Sequence, residues 1–405
     1  MNIYRNKIHL LNKKIYNTNL NIKNQDHFTE ILYGIINYID FDKKRVNNTE
    51  SIEKKRKANN ISTEPKYFPF YPNNKNRSIT INLNLNKGRL PKYGKFSNLQ
   101  YTKNGNIIKF GKFIDPIMII EDFINEFRAF IFNLFLYNKS NILFPEIKEF
   151  GIYLYDNEKK ITTYGVYHLY DGDLYKLIFS KENMLHELKT NLEKIEFINN
   201  MMKQIIQAIQ LMHCYHLVHG DIKPENVLVK KEIVNGKIVY TLVLCDFGFT
   251  NSYGKETNRL FGTRTYFSAV KIIQYYTSGK IKITYADDYY SLAYMFYVII
   301  KRIFRYTGSN NKNKKNIFVK KDDEEIVSDW INYDLQISGI SSQIDYLKLF
   351  ISKNIENNQN KQYKIFELGL ELIKSLFASN NIRELEKSEL LTQTNIEEYL
   401  KLFTN

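Results

Sequence analysis

The run His219-Gly220-Asp221-Ile222-Lys223-Pro224-Glu225-Asn226-Val227-Leu228-Val229 decides how this chain is read, because it packs several polar functional groups into a constrained loop immediately before a strand signal. Asn235-Gly236 then marks a hairpin turn, and the returning stretch ends at Leu244-Cys245-Asp246-Phe247-Gly248-Phe249. Taken singly, Asp221 and Asn226 would be turn caps, and Asp246 the opening of an Asp-Phe-Gly turn. Two such loops in this order, joined by a hairpin, are too specific for surface decoration.

The run HGDIKPENVLV resembles the catalytic loop of the eukaryotic-type protein kinase family, and LCDFGF resembles that family's metal-binding loop. The resemblance implies that Asp221 orients a substrate hydroxyl and takes its proton, while Asn226 and Asp246 hold Mg²⁺ against the phosphates of ATP. The residue types suit that chemistry on their own terms. A carboxamide oxygen and a carboxylate are hard oxygen donors, and Mg²⁺ completes its octahedron with phosphate oxygens and water. His219 belongs to the same motif as a supporting residue. Lys223, two positions after the base, matches the loop lysine of serine/threonine kinases, and Thr263 in Phe261-Gly262-Thr263 matches the threonine that meets it. Both imply Ser/Thr rather than Tyr specificity. Gly220 stands where the family has Arg, which implies less dependence on a phosphorylated activation segment.

The nucleotide-anchoring residues lie upstream in more divergent sequence. Lys109, in Asn106-Ile107-Ile108-Lys109, is similar to the family's strand lysine, and strand alternation turns Ile107 and Lys109 to one side. Lys112 is the competing assignment. Glu126, in the helical pattern that follows, has the family's separation from Lys109 and would pair with its ammonium. Gly88 and Gly94 are the candidates for the phosphate-covering loop, although Lys87–Gly94 lacks the full glycine pattern. Tyr164 to Leu174 is similar to the strand and linker whose backbone reads adenine.

Past the metal loop, Gly262 to Val270 resembles the end of an activation segment, with Ser268-Ala269-Val270 in place of Ala-Pro-Glu. Asp288, opening Asp288-Tyr289-Tyr290-Ser291-Leu292-Ala293, is expected to brace the catalytic loop by accepting backbone hydrogen bonds, with an N-cap role overlapping. His213, His216 and His219 recur every third residue, but helix packing and the catalytic loop account for them better than zinc does.

Helical spacing of Phe123, Phe127, Ile131, Leu134 and Phe135 predicts a helix over Glu121–Tyr137, and Met201, Ile205, Ile209 and Met212 predict another over 194–216. Strands are expected within Asn86–Phe113, with a turn at Asn104-Gly105, and over Ile147–Tyr155 and Ile161–Leu169. Residues 307–327 read as an exposed insertion, followed by a helical tail. The resulting expectation is an α+β bilobal kinase fold. Residues 1–86 form a divergent basic N-terminal extension, and residues 87–405 form the kinase domain, with a strand-rich small lobe at 87–169, a helix-rich large lobe at 170–405 and ATP between them.

Composition sets the outer limits. A chain of 405 residues at 43% hydrophobic content can build a substantial core, and Cys214 and Cys245 allow one disulfide at most, so a cysteine scaffold is excluded and a reducing compartment is the default. The net charge of +15 concentrates in the N-terminal part, where residues 1–87 hold 16 basic and seven acidic residues. That region is the candidate for an acidic partner; no specific nucleic-acid or membrane partner is implied. Lys7, Lys13 and Lys14 interrupt any signal-peptide core, and Tyr289–Ile300 is too short to span a bilayer. The expected location is cytoplasmic, with the basic cluster Lys54–Lys57 offering a nuclear alternative. Protein substrates are favoured over small molecules by Lys223-Pro224-Glu225. The main competing reading is a kinase-like scaffold without catalysis, motivated by the sparse glycine loop and the absent Ala-Pro-Glu acid.

Overall fold

The computed structural model describes residues 66–70, 98–101, 105–111, 120–155, 160–180, 187–304, 333–353, 360–379 and 385–404. The basic N-terminal cluster, the Gly88 and Gly94 loop, Lys112 and the 307–327 insertion lie outside them. The chain divides into two compact units: one runs to Asn141 and resumes over Pro145–Leu169, and the other joins Ile142–Phe144 to everything from Tyr170 onward. The fold is the bilobal α+β one expected, a strand-rich small lobe and a helical large lobe.

The small lobe is one antiparallel sheet of β1 (Lys66–Phe70), β2 (Asn98–Tyr101), β3 (Asn106–Phe110), β4 (Ile147–Tyr155) and β5 (Lys160–His168), in spatial order β1-β4-β5-β3-β2. β1 lies upstream of residue 87, where the sequence reading begins the small lobe. The β2–β3 hairpin turns at Gly105, whose φ of +70° suits a residue without Cβ. Alternation along β3 then sorts the faces. Ile108 and Phe110 enter a core cluster with Tyr164 and Val166 of β5, so Ile107 and Lys109 take the opposite face. There Lys109 pairs with Gly165, where an added Cβ would collide with the rings of Phe130 and Tyr167. Phe130 belongs to α1 (Ile120–Lys139) and stacks on Phe150 at 5.6 Å. The helix therefore covers the sheet face that carries Lys109.

In the large lobe the stripe read at Met201, Ile205, Ile209 and Met212 is buried along α3 (Asn191–Cys214), which follows the short α2 (Leu174–Phe179). Each such side chain taken from water is worth about 1.5–3 kcal/mol. Thr190 and Glu193 form a capping box at the start of α3, with Glu193 N–H to Thr190 Oγ1 at 3.1 Å and Thr190 N–H to Glu193 Oε2 at 2.8 Å. β6 (Gly172–Asp173), β8 (Val227–Val234) and β9 (Lys237–Leu244) make a three-stranded sheet, and the turn at Asn235 and Gly236 has φ of +52° and +75°, the positive pair that a tight hairpin requires.

Two smaller ladders involve the chain that follows Asp246-Phe247-Gly248. β7 (Leu217–Val218) pairs with β10 (Asn251–Ser252), and β11 (Glu256–Thr257) pairs with β12 (Ile281–Lys282). Helices α4 (Ala269–Ser278), α5 (Tyr285–Ile303), α6 (Tyr333–Ser352), α7 (Lys361–Ala378) and α8 (Leu385–Lys401) complete the lobe. The apolar run Tyr289–Ile300 lies in α5, and among the described residues no helix is long and apolar enough to cross a membrane. α5 opens on a capping box between Thr284 and Asp287, so the cap considered for Asp288 falls to its neighbours.

Candidate active site

The catalytic loop begins where β7 ends, and one buried carboxylate fixes its shape. Asp288, in the first turn of α5 and 1% exposed, accepts the backbone N–H of His219 on Oδ2 at 2.8 Å and that of Gly220 on Oδ1 at 2.9 Å. The ring of His213, from the last turn of α3, reaches the same Oδ2 at 3.0 Å. Burial pushes the Asp288 pKa up, but the hydrogen bond and charge of His213, the charge of His219 and the Gly220 amide outweigh it, and the carboxyl ends below its ordinary range. The charged form is the one the loop is built on. Gly220 makes this approach at φ +78°, with an added Cβ only 3.0 Å from the Phe249 carbonyl. Arg, which the family places here, would meet that strain.

Asp221 follows, 3% exposed. Its two carboxylate oxygens are treated differently. Oδ2 accepts from Lys223 Nζ at 2.7 Å and from Asn226 Nδ2 at 3.1 Å. Oδ1 is buried and has no hydrogen-bond partner among the described residues. A buried anionic oxygen left unmatched is costly, by about 1–3 kcal/mol or more, so this oxygen is the side of Asp221 with capacity for a further hydrogen-bond donor. Lys223 Nζ also donates to Thr263 Oγ1 at 2.7 Å, so two residues 40 positions apart in the sequence meet beside Asp221.

Asn226 closes a short 3₁₀ turn that Pro224 opens. Its carboxamide gives both hydrogen bonds to Asp221, to the backbone oxygen at 2.8 Å and to Oδ2 at 3.1 Å, which leaves Oδ1 as the group's acceptor for a cation. The β8–β9 register sets Val227 against Leu244, and Cys245 N–H donates to the Asn226 carbonyl at 2.9 Å. Asp246 is the next residue, exposed and in the left-handed region at φ +66°. The carboxamide oxygen of Asn226 and the exposed carboxylate of Asp246 are of the donor type that suits a hard divalent ion taking its other ligands from phosphate and water. Among the described residues, no group of three or more His, Cys, Asp or Glu side chains gathers for a metal. His219 touches the two residues that flank Asp246: its Nε2 lies 3.0 Å from the Cys245 carbonyl, and its ring meets that of Phe247 at 5.6 Å. His216 instead reaches Tyr285 Oη at 2.9 Å, so the three histidines serve three different partners.

Of the nucleotide-anchoring candidates, Lys109 lies on the helix-covered face of the small-lobe sheet. Glu126 lies in α1 one turn before Phe130, and its side chain is outside the described residues. Three contributors were not legible beforehand. His213 reads as a packing residue but grips Asp288. Gly262, at φ +107°, passes so near the catalytic loop that a Cβ would collide with the Gly220 carbonyl and come within 3.5 Å of Asp221 Oδ1. Ser291 donates to the Tyr266 carbonyl at 2.9 Å and so docks the end of the activation segment on α5.

Comparison with known proteins bears on this geometry. The family model described as "Protein kinase domain" matches residues 152–370, more than half of the chain. Calcium-dependent protein kinase 6 of Plasmodium berghei (strain Anka) is 25% identical over 325 residues, 79% of this chain and 19% of its own length. Serine/threonine-protein kinase 17A of Oryctolagus cuniculus is 25% identical over 168 residues, 40% of this chain and 37% of its own. The chain thus spans well under half the length of either curated relative. Among solved structures, the Cydia pomonella Granulovirus kinase, PK-1, is matched with a TM-score of 0.37 and 21% identity, over 51% of this chain and 67% of that one.

Proposed function

From the premise that this chain belongs to the protein kinase family, we propose that it transfers the γ-phosphate of ATP, with Mg²⁺, to serine or threonine hydroxyls of protein substrates. The observation that carries the reading is the asymmetry of Asp221, with Oδ2 held by Lys223 and Asn226 and Oδ1 buried without a partner among the described residues. A substrate hydroxyl donating to Oδ1 satisfies that oxygen, and its proton passes there as the hydroxyl oxygen attacks the γ-phosphorus and the bond from that phosphorus to the β,γ-bridging oxygen breaks, releasing ADP. A positioned base of this kind contributes roughly 10²–10⁴-fold.

Lys223 has two tasks. It pins the unreactive oxygen of Asp221, and its ammonium supplies positive charge next to the transferring group. Thr263 fixes the lysine and so ties the activation segment to the base, the arrangement that supports Ser/Thr specificity. Asn226 Oδ1 and Asp246 would hold Mg²⁺, which when bound would neutralise phosphate charge that Asp221 otherwise repels. Lys109 is the proposed phosphate anchor, with Glu126 as its proposed partner, and the kinase domain takes in β1 (Lys66–Phe70) ahead of the 87–405 range read from sequence.

Purified protein with ATP, Mg²⁺ and mixed protein substrates, followed by phosphoamino-acid analysis, tests the reading. Phosphoserine and phosphothreonine are expected. Asp221→Asn is expected to lower kcat by at least about 10²-fold with nucleotide binding retained, and Asp246→Ala to weaken nucleotide binding in Mg²⁺. Phosphate mainly on tyrosine, or full activity in a folded Asp221→Asn variant, overturns it.

A further inference from the structure

The C-terminal helix sends one carboxylate into the large lobe, far in sequence from every motif residue. Glu389 on α8 is 5% exposed. Its Oε1 accepts the Ala286 N–H at 2.7 Å and its Oε2 accepts the Tyr253 hydroxyl at 3.1 Å. Ala286 is in the first turn of α5, where amides have no partner within the helix and the helix dipole favours an anion. Thr284 and Asp287 serve each other in that turn through the capping box. Glu389 takes up the Ala286 amide from outside the helix.

From Glu389 two routes lead to the loop that carries Asp221. The first runs along α5, because Asp288 is two residues beyond Ala286 and holds the His219 and Gly220 amides. The second runs through rings. Tyr253 stacks on Tyr285 at 4.3 Å and Tyr285 on His213 at 4.3 Å, and His213 reaches Asp288. Tyr253 also follows β10, the strand paired with Leu217–Val218 just before the loop, and gives its own N–H to the His216 carbonyl at 2.8 Å. Burial pushes the Glu389 carboxyl up, and the Ala286 and Tyr253 hydrogen bonds oppose that without cancelling it. A carboxylate kept in such a place at that cost is matched to those two donors.

We propose that Glu389 is a positioning residue for phosphoryl transfer, clamping Tyr253 to the first turn of α5 so that Asp288 presents the Asp221 loop in its reactive pose. The inference rests on the kinase reading above for its catalytic consequence, and on the hydrogen-bond geometry alone for its structural one. Both are measured on the full chain, as amide hydrogen exchange of residues 217–222 with the β8–β9 hairpin as internal reference, and as steady-state transfer from the same preparations.

Glu389→Ala is expected to speed exchange at 217–222 by about tenfold with the hairpin unchanged, and to lower kcat by about tenfold while KM for ATP stays within about twofold, since small displacements of a reacting group cost rates of this order. Glu389→Gln, which can accept from Ala286 and donate to the Tyr253 oxygen, is expected to stay near wild type in both. Should Glu389→Ala not fold, Glu389→Asp, one methylene shorter, is read the same way. Unchanged exchange at 217–222, or exchange raised equally in the hairpin, overturns the positioning role. A wild type that transfers no phosphate removes the kinase reading, and the exchange measurement still decides Glu389.

Discussion

Two segments of the large lobe dock on the same helix by different means. The catalytic loop is held to α5 by charge, through Asp288 accepting two amides and His213. The end of the activation segment is held by caps, rings and a cation. Ser268 caps α4 by accepting the Lys271 N–H at 3.1 Å, Tyr266 packs edge-on against Tyr294 at 5.2 Å, and Ser291 bonds the Tyr266 carbonyl. Lys271, 8% exposed, donates to the Phe261 carbonyl at 3.3 Å, lies 4.8 Å over the Phe267 ring and attracts the buried Asp287. By sequence this second segment has Ser268-Ala269-Val270 and lacks the acid of the family's Ala-Pro-Glu. The structure gives the site a buried cation and an N-cap in its place. A motif letter can vanish while its mechanical task is met by residues of other chemistry.

The sharpest way to break the comparison is at Asp288. Asp288→Ala leaves two loop amides and His213 without their acceptor, and an urea denaturation midpoint reporting a loss of about 3–5 kcal/mol is expected. The pH dependence carries a definite sign. The folded pKa of Asp288 is depressed, so its contribution is fully present above the unfolded value near pH 4 and is lost as pH falls through the lower folded value. Asp287, one residue earlier, is raised by burial and has the opposite sign: its contribution is greatest below about pH 4 and fades as pH rises through the folded value. Denaturation midpoints followed into acid should therefore show Asp288→Asn with a shallower acid loss than wild type. An unchanged acid limb would mean that the Asp288 charge is not what holds the loop.

Smaller effects are expected in the second segment. Lys271→Met keeps the bulk and removes the cation, and a loss of about 1–2 kcal/mol is expected from the cation–π and carbonyl contacts together. Ser268→Ala removes the cap of α4 for about 1 kcal/mol. Thermal melts of the two variants rank them, and a Lys271→Met protein as stable as wild type would show that the cation does not replace the missing acid. The smallest effect belongs to regulation. With Gly220 in place of Arg, phosphatase treatment of purified protein is expected to leave its transfer rate unchanged, and a large fall would point to another cation serving the activation segment.

The fold was legible wherever local pattern and tertiary demand agree. The stripe on α3, the strands at Ile147–Tyr155 and Ile161–Leu169, and the Asn235-Gly236 turn need only short-range regularity, and the structure puts elements there within three residues at either end. The Asp221, Lys223 and Asn226 cluster is equally local, since its hydrogen bonds span two to five positions inside one constrained loop. Its spacing in the chain is nearly its geometry in space. β1 was not anticipated as part of the small lobe, because Lys66–Phe70 gains its place only by pairing with β4, some eighty residues away.

What the sequence by itself determined is the identity of the chemical groups and the turns that carry them, for those are encoded within a few residues by glycine, proline and hydrogen-bonding side chains. What only the tertiary structure decided is which distant groups hold the loop in place: His213 rather than an N-cap partner for Asp288, Lys271 on Asp287, and Glu389 on Ala286 and Tyr253 across 103 and 136 positions. Such partners leave no periodic trace. One Glu among the four of a polar helix reads as solvent-facing until the packing of that helix excludes water from it, and the burial that gives the residue its role arises only in the folded chain.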